Sequence, residues 1–166
     1  MAAQALRCGE IMRDLLARDA RSAADLDFVA SPLGRARETM EIVRAGLGLD
    51  PHAYRTDARL TEVGFGRWEG FSIEELRARE ADAVASRERD KWGFVPPGGE
   101  SYQTMSLRVA DWYATLTTDT VAVAHGGTFR GLIVGLGIMP VEEAPALDIV
   151  QGAVYVIADG RMTRYA

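Results

Sequence analysis

Three short segments carry side chains suited to phosphoryl chemistry. Ser31–Ala36 contains an arginine, Leu60–Gly70 contains Glu62 near its start, and His125–Thr128 opens on a histidine. An arginine is a planar, permanently charged donor for phosphate oxygens, and a protonated histidine also binds anions. A carboxyl group can give or take a proton. Together these residue types predict chemistry on a phosphoryl group rather than hydride or acyl transfer.

Each of these residues also has an ordinary interpretation when it is taken alone. His125 could be a hydrogen-bonded structural histidine, Arg35 a surface or salt-bridged arginine, and Glu62 a plain loop carboxylate. His52, which follows Asp50-Pro51, has the setting of a turn residue. The functional hypothesis therefore depends on whether the fold brings the first three side chains together.

Two of the segments follow predicted strands and open predicted helices. Leu26–Ala30 is a short apolar strand, and Ser31-Pro32 after it predicts a cap followed by a helix that ends at Gly46 or Gly48. Thr120–Ala124 is β-branched and apolar, as in a strand buried on both faces, and a helix ending near Gly137 follows it. Ligands bind beyond the carboxyl ends of such strands, where helix N-termini attract anions.

The remaining elements complete an alternating pattern of strands and helices. We predict helices over 2–18, from Ser72 through the charged run to Lys91, and over 101–116. A weak strand is predicted over 54–60. The strands 153–157 and 161–165 are predicted to form a hairpin joined by Asp159-Gly160. Strands that alternate with helices favour a three-layer α/β/α fold with a mostly parallel sheet. At 166 residues, one domain over 1–166 is expected.

Composition excludes several function classes. The net charge of −5 gives no bulk attraction to nucleic acid or an anionic membrane. No apolar run reaches membrane-spanning length, and the polar N-terminus is unlike a signal peptide, so we expect a cytoplasmic protein. Cys8 is the single cysteine and is interpreted as an apolar helix residue. Because the two histidines are well separated, we expect no metal site, and we also expect no cofactor. The sequence leaves open whether the protein forms a homo-oligomer.

Two other enzyme classes are poorly supported. Gly64, Gly66 and Gly70 resemble a nucleotide-binding loop only loosely, because Trp68 and Glu69 would crowd a pyrophosphate. The His-Gly-Gly sequence would suit an oxyanion loop of a serine hydrolase, but the chain has no G-x-S-x-G elbow.

Four motifs resemble those of the histidine phosphatase (phosphoglycerate-mutase-like) family and occur in the family's order. Ser31–Thr39 is similar to its second arginine motif, Leu60–Gly70 to its acidic loop, Pro97–Ser101 to its Gly-Glu-Ser turn, and Val121–Gly127 to its second histidine motif. They cover nearly the whole chain. The resemblance implies the phosphoglycerate-mutase-like fold and a small phosphorylated metabolite or inorganic phosphate as ligand.

The resemblance also implies roles in a phosphohistidine mechanism. In the family a first histidine attacks phosphorus, two arginines and a second histidine hold the phosphoryl oxygens, and a carboxylic acid protonates the leaving oxygen. By motif matching, Arg35 is the second arginine, Glu62 the proton donor and His125 the second histidine, with backbone N–H groups of Gly126 and Gly127 at the phosphate. Glu100 and Ser101 are expected to order the pocket wall.

The departure from the family lies in its first motif. The family opens with a strand that ends in Arg-His-Gly, and this sequence contains no Arg-His-Gly. Since that strand lies inside the family's sheet, its omission would leave unpaired backbone. Three explanations are open: a truncated or misplaced start, a natural non-enzyme that closes the gap by rearrangement or a partner's strand, or another nucleophile.

The expected activity follows from the match and from the departure. We expect phosphomonoester hydrolysis or phosphoryl transfer in the family, with a chain that is inactive by itself because the nucleophile is absent. Hydrolysis is favoured over mutase chemistry, because the segment from Glu62 to Pro96 is short and the family's mutases carry longer insertions there. The alternative is a phosphate-binding or regulatory protein without turnover.

Overall fold

A computed structural model describes residues 2–166 as six helices and five strands with short 3-10 turns between them. The helices are α1 (Ala2–Arg18), α2 (Gly34–Gly46), α3 (Ile73–Arg79), α4 (Ala81–Arg89), α5 (Tyr102–Ala114) and α6 (Gly126–Gly135). The strands are β1 (Asp27–Ala30), β2 (Arg55–Thr56), β3 (Thr120–Val123), β4 (Val154–Ala158) and β5 (Arg161–Tyr165). The predicted alternation of strands and helices is confirmed.

The strands form a parallel sheet and a separate hairpin. The parallel sheet has the order β2-β1-β3, with Val29 opposite Arg55 and Ala122. Strands β4 and β5 pair antiparallel. Asp159 and Gly160 both have positive φ, as a tight two-residue hairpin requires, so the predicted hairpin is confirmed.

Helices cover both faces of the parallel sheet. On one face Phe28 and Ala30 of β1 pack in a core with Met12, Met40 and Val43 from α1 and α2. On the other face the core is formed by β1, the loop around Glu62, α5 and α6 through Val29, Leu60, Val63, Met105, Val109, Trp112 and Leu132. Alternate β1 side chains therefore serve opposite cores, and the structure has the predicted three layers.

The outer side of β3 differs from the sequence prediction. We expected this strand to be buried on both faces, but Val121 and Val123 are only half-buried and Ala122 is exposed. The reason is that β3 pairs only with β1, so it forms an edge of the described sheet. Val154 of β4 packs against the core shared with Val121 and Val123, yet β3 and β4 have no ladder between them.

Two predicted elements are shorter than expected. The strand predicted over 54–60 is limited to Arg55–Thr56, because Asp57 accepts the N–H of Arg59 and turns the chain into a 3-10 turn. The capping box of Ser72 and Glu75 is confirmed. Its helix does not continue to Lys91, because it breaks at Glu80, whose carboxylate accepts the indole N–H of Trp68.

Helix α1 is held against α2 and the hairpin. Gly9 packs on the backbone of Val43 and Gly46. The Cys8 sulfur lies 3.7 Å from the carbonyl oxygen of Ala153, and burial raises the pKa of its thiol, in keeping with a packing residue. None of the described helices, α1 included, is both long and apolar enough to cross a bilayer.

Helices α5 and α6 approach closely at Gly131. A Cβ built on this glycine would lie 2.6 Å from the sulfur of Met105. The hydroxyl of Ser106 donates to the carbonyl of Gly131 over 2.8 Å at the same crossing.

Gly131→Ala is expected to lower the free energy of unfolding by about 1–3 kcal/mol, because the added methyl group must displace the Met105 side chain. Urea unfolding followed by circular dichroism measures the change. Gly34→Ala is the matched control, since its Cβ meets nothing within 4 Å. Equal stability of the two variants would contradict the close packing of α5 on α6.

Candidate functional site

The fold brings Arg35 and His125 together at the carboxyl end of the parallel sheet. His125 precedes the first residue of α6, and Arg35 is the second residue of α2. The Arg35 Nε–H donates to Nδ1 of His125 over 3.2 Å. On the other side of the ring, Nε2 lies 2.8 Å from the hydroxyl oxygen of Ser31.

These contacts decide the protonation pattern of the ring. A guanidinium has only donors, so Nδ1 must accept and the proton of the neutral imidazole lies on Nε2, which donates to Ser31. Burial lowers the pKa of His125 and the charge of Arg35 lowers it further, while Glu62 acts in the opposite direction. The sequence suggested a protonated, anion-binding histidine, whereas these contacts favour the neutral ring.

Ser31 has a different role from the predicted helix cap. Helix α2 begins at Gly34, and its N-cap residue is Leu33, without a side-chain cap. The Ser31 side chain is completely buried and faces His125, while its oxygen also accepts the N–H of Leu33 at 3.4 Å. A contact between residues 31 and 125 could not be found from local sequence, because cap patterns concern only near neighbours.

The Glu62 carboxylate lies at the N-terminus of α6. Its two oxygens accept the backbone N–H groups of Gly127 at 3.2 Å and Thr128 at 3.0 Å. The N–H that the resemblance assigned to phosphate at Gly127 is therefore engaged by Glu62. As first residue of the helix, Gly126 has no partner for its N–H within α6, so this N–H is the backbone donor that remains for an anion. A Cβ at Gly127 would collide with the Glu62 carboxylate.

Arg108 on α5 holds the acidic loop in place. Its guanidinium donates to the carbonyl oxygens of Arg59, Thr61 and Glu62 and to both carboxylate oxygens of Glu100. Sequence reasoning missed this residue, because a single arginine on an amphipathic helix looks like an ordinary surface cation. The role expected for Glu100, ordering the pocket wall, agrees with this contact.

The glycines of the acidic loop serve backbone packing. Gly66 has a φ of +56°, and a Cβ there would collide with the backbone of 97–98; a Cβ at Gly99 would collide with the carbonyl of Gly64. The loop 64–66 and the turn 97–99 therefore pack main chain against main chain. This contact explains the glycines without a bound pyrophosphate and disfavours the nucleotide-loop hypothesis.

The remaining candidate features have structural surroundings. Trp68 is 3% exposed and stacks on Phe94, so it belongs to a small core under α3 and α4. His52 lies on an exposed turn where its N–H donates to the carboxylate of Asp50. Within residues 2–166 no group of three or more histidine, cysteine or acidic side chains is arranged to hold a metal ion.

Comparison with known proteins identifies the family. The sequence profile of the histidine phosphatase superfamily (branch 1) matches residues 3–162. The chain belongs to the histidine phosphatase superfamily. The resemblance drawn from the four motifs is thereby confirmed at the level of the family.

Curated relatives of this chain include phosphoglycerate mutases. The 2,3-bisphosphoglycerate-dependent phosphoglycerate mutase of Methylobacterium radiotolerans is 32% identical over 129 residues, which cover 74% of this chain and 61% of the relative. The enzyme of that name from Parvibaculum lavamentivorans is 30% identical, with 78% of this chain and 66% of the relative covered. The chain thus spans less than two thirds of the length of these mutases.

Solved structures of similar shape include phosphatases. The α-ribazole phosphatase from Shigella flexneri superposes with a TM-score of 0.76 at 25% identity, covering 98% of this chain and 78% of that chain. A mycobacterial glucosyl-3-phosphoglycerate phosphatase in complex with inorganic phosphate superposes with a TM-score of 0.69 at 25% identity, covering 99% and 83%. These similarities agree with the phosphoglycerate-mutase-like fold.

Arg108→Lys is expected to lower the free energy of unfolding by about 2–4 kcal/mol, because an ammonium group cannot reach the three carbonyls and Glu100 together. Urea unfolding measures the loss. Arg77→Lys, in an exposed pair with Glu88, is the control and should change stability by less than about 0.5 kcal/mol. Similar losses in both variants would refute the special role of Arg108.

The pKa of His125 should lie below the ordinary value of about 6.5. Because the unfolded chain then binds more protons, the stability that His125 contributes is complete above about pH 6.5 and is lost as the pH falls toward the folded-state pKa. Titration of the His125 ring protons by NMR measures this pKa. The wild type should also lose stability relative to His125→Gln on acidification. A midpoint above the ordinary value would contradict the buried, arginine-facing geometry.

Proposed function

We propose that the site built by Arg35, His125 and the N-terminus of α6 binds the phosphoryl group of a small phosphorylated metabolite, or inorganic phosphate. The observation that carries the proposal is the 3.2 Å contact between Arg35 Nε and His125 Nδ1 beside the first turn of α6. An anion placed between these groups would accept hydrogen bonds from Arg35, from protonated His125 and from the N–H of Gly126. The net charge of the chain is negative, so this attraction is local.

Glu62 is the proposed proton donor to the leaving oxygen. Its carboxyl group is held at the edge of this site by two N–H groups of α6, and its loop is clamped by Arg108. A fixed position beside the phosphoryl group is what general acid catalysis requires of such a group. The same N–H groups connect Glu62 to the helix that carries the anion donors, so the acid and the anion site share one frame.

The nucleophile is proposed to be a histidine outside these 166 residues. Both nitrogens of His125 are engaged, and its Nε2 proton faces Ser31, so the ring cannot accept a proton from that hydroxyl. His52 lies on an exposed turn. A strand that carries this histidine would enter the structure between β3 and β4. Both strands have a side without a ladder, and Val154 and Ile157 of β4 pack on the two cores that flank β1.

Hydrolysis of a phosphomonoester is favoured over mutase chemistry. The segment between Glu62 and Pro96 holds only the short helices α3 and α4, and the similar solved structures include two proteins called phosphatases. We also propose that the protein forms a single domain, is cytoplasmic and acts without a metal ion or cofactor. The second candidate function is phosphate binding or regulation without turnover. For this chain alone it is favoured because both nitrogens of His125 already have hydrogen-bond partners.

The first experiment measures binding of inorganic phosphate by calorimetry. The double variant Arg35→Ala, His125→Ala should bind about 100-fold more weakly, since two charge-assisted hydrogen bonds contribute about 1.5 kcal/mol each. Arg21→Ala is the matched control, because Arg21 pairs with Asp119 at the opposite end of β1 and β3. Binding that survives in the double variant would exclude this pocket as the phosphate site.

The second experiment measures hydrolysis of an aryl phosphate. We expect no turnover by the chain itself and turnover when an apolar strand ending in Arg-His-Gly is fused before Met1. The same fusion with its histidine replaced by alanine is the control. Phosphate binding without turnover in the fused chain would support the regulatory alternative. Turnover by the unfused chain that His125→Ala abolishes would refute an external nucleophile.

A further inference from the structure

Ser31 is a buried polar side chain that touches the His125 ring. It is completely buried at the turn between β1 and α2, and its oxygen lies 2.8 Å from Nε2. Its backbone N–H donates to the carbonyl of Val123 over 2.8 Å, which ties the serine to the strand that leads into His125. Main-chain pairing therefore fixes the backbone of Ser31 beside this strand, and the N–H of Leu33, which donates to the Ser31 oxygen, helps to orient the hydroxyl.

We propose that Ser31 is a positioning residue which accepts the Nε2–H of His125 and thereby reserves Nδ1 for a phosphoryl oxygen. The proposal rests on the phosphate site described above and assigns an orientation to its histidine. Nothing in the four family motifs distinguished Ser31 from a helix cap.

The two contacts of the ring differ in how easily a ligand can replace them. Arg35 is exposed and projects from the first turn of α2, so it can move aside without leaving solvent. Ser31 is buried and cannot. An arriving anion must therefore enter on the Nδ1 side, where it takes the place of the contact between Arg35 and the ring.

Anion binding on that side changes the protonation of His125. With Nδ1 protonated, both Arg35 and the ring donate to the anion, and Nε2–H still donates to Ser31, so every ring donor has a partner. Without the Ser31 oxygen, a buried N–H of the imidazolium would lack an acceptor, which disfavours the charged ring. Ser31 thus supports the charge that the anion requires.

Other charged groups around the ring act in both directions. Arg35 from α2 and Arg108 from α5 oppose protonation, and Glu62 from the acidic loop favours it. An anion that neutralises the arginine charge removes the nearest opposing group. Affinity for an anion should therefore rise as the pH falls, with a proton taken up on binding.

The test compares Ser31→Ala with Ser31→Thr and with Ser106→Ala. Threonine restores the hydroxyl, and Ser106 is a buried serine whose hydroxyl donates to Gly131 away from the site. The probe is sulfate, whose charge is constant across the range of about pH 5 to 8 in which histidine titrates. Nitrogen-15 NMR reports the tautomer of His125 without ligand, and calorimetry gives sulfate affinity against pH.

We expect the Nε2–H tautomer in the wild type, Ser31→Thr and Ser106→Ala. In Ser31→Ala we expect the pKa of His125 to fall by about one unit and sulfate to bind about tenfold more weakly below neutral pH. An unchanged pH profile in Ser31→Ala, or a wild-type ring with its proton on Nδ1, would overturn the positioning role. Absence of sulfate and phosphate binding in the wild type, with the tautomer as expected, would instead reject the proposed function.

Discussion

The arrangement of the site depends on the guanidinium of Arg108. This guanidinium donates to the carbonyl oxygens of Arg59, Thr61 and Glu62 and to the carboxylate of Glu100, and so joins the start of the acidic loop to α5. Helix α5 in turn packs closely on α6 at Gly131, and α6 starts at the candidate anion site. Glu62 and the N–H groups that hold it are therefore positioned by one half-buried cation and one close helix crossing.

The polar groups of the candidate site bond to one another. Arg35 contacts Nδ1 of His125, Ser31 accepts from Nε2, and Glu62 accepts the N–H groups of Gly127 and Thr128. Each group that could meet a phosphoryl oxygen or leaving oxygen already has a partner of its own, except the first N–H of α6. Such internal pairing keeps charged and polar groups satisfied without ligand, and it preorganises the ring and the acid before a ligand arrives.

Strand β3 has a ladder on one side only in the part of the chain that the structure describes. The profile of the superfamily matches residues 3–162, and the three-layer fold with its two cores agrees with the solved phosphatases. Yet β3 is an edge of the described sheet, and the hairpin beside it contributes Val154 and Ile157 to the same two cores without pairing to β3. The residues proposed for phosphate recognition, Arg35, His125 and Gly126, lie after the ends of β1 and β3, at the starts of α2 and α6.

The sequence by itself determined the features that local backbone chemistry controls. The capping box of Ser72, the hairpin turn at Asp159-Gly160 and the placement of Arg35 and His125 soon after strands all follow from neighbouring residues. Tertiary structure alone decided which partner each polar group would take. Ser31 bonds to a residue 94 positions away, Arg108 to carbonyls 46 to 49 positions away, and Glu62 to N–H groups 65 and 66 positions away. Local patterns contain no information on such pairs, because a buried donor or acceptor bonds to whatever the packing of distant elements brings within reach.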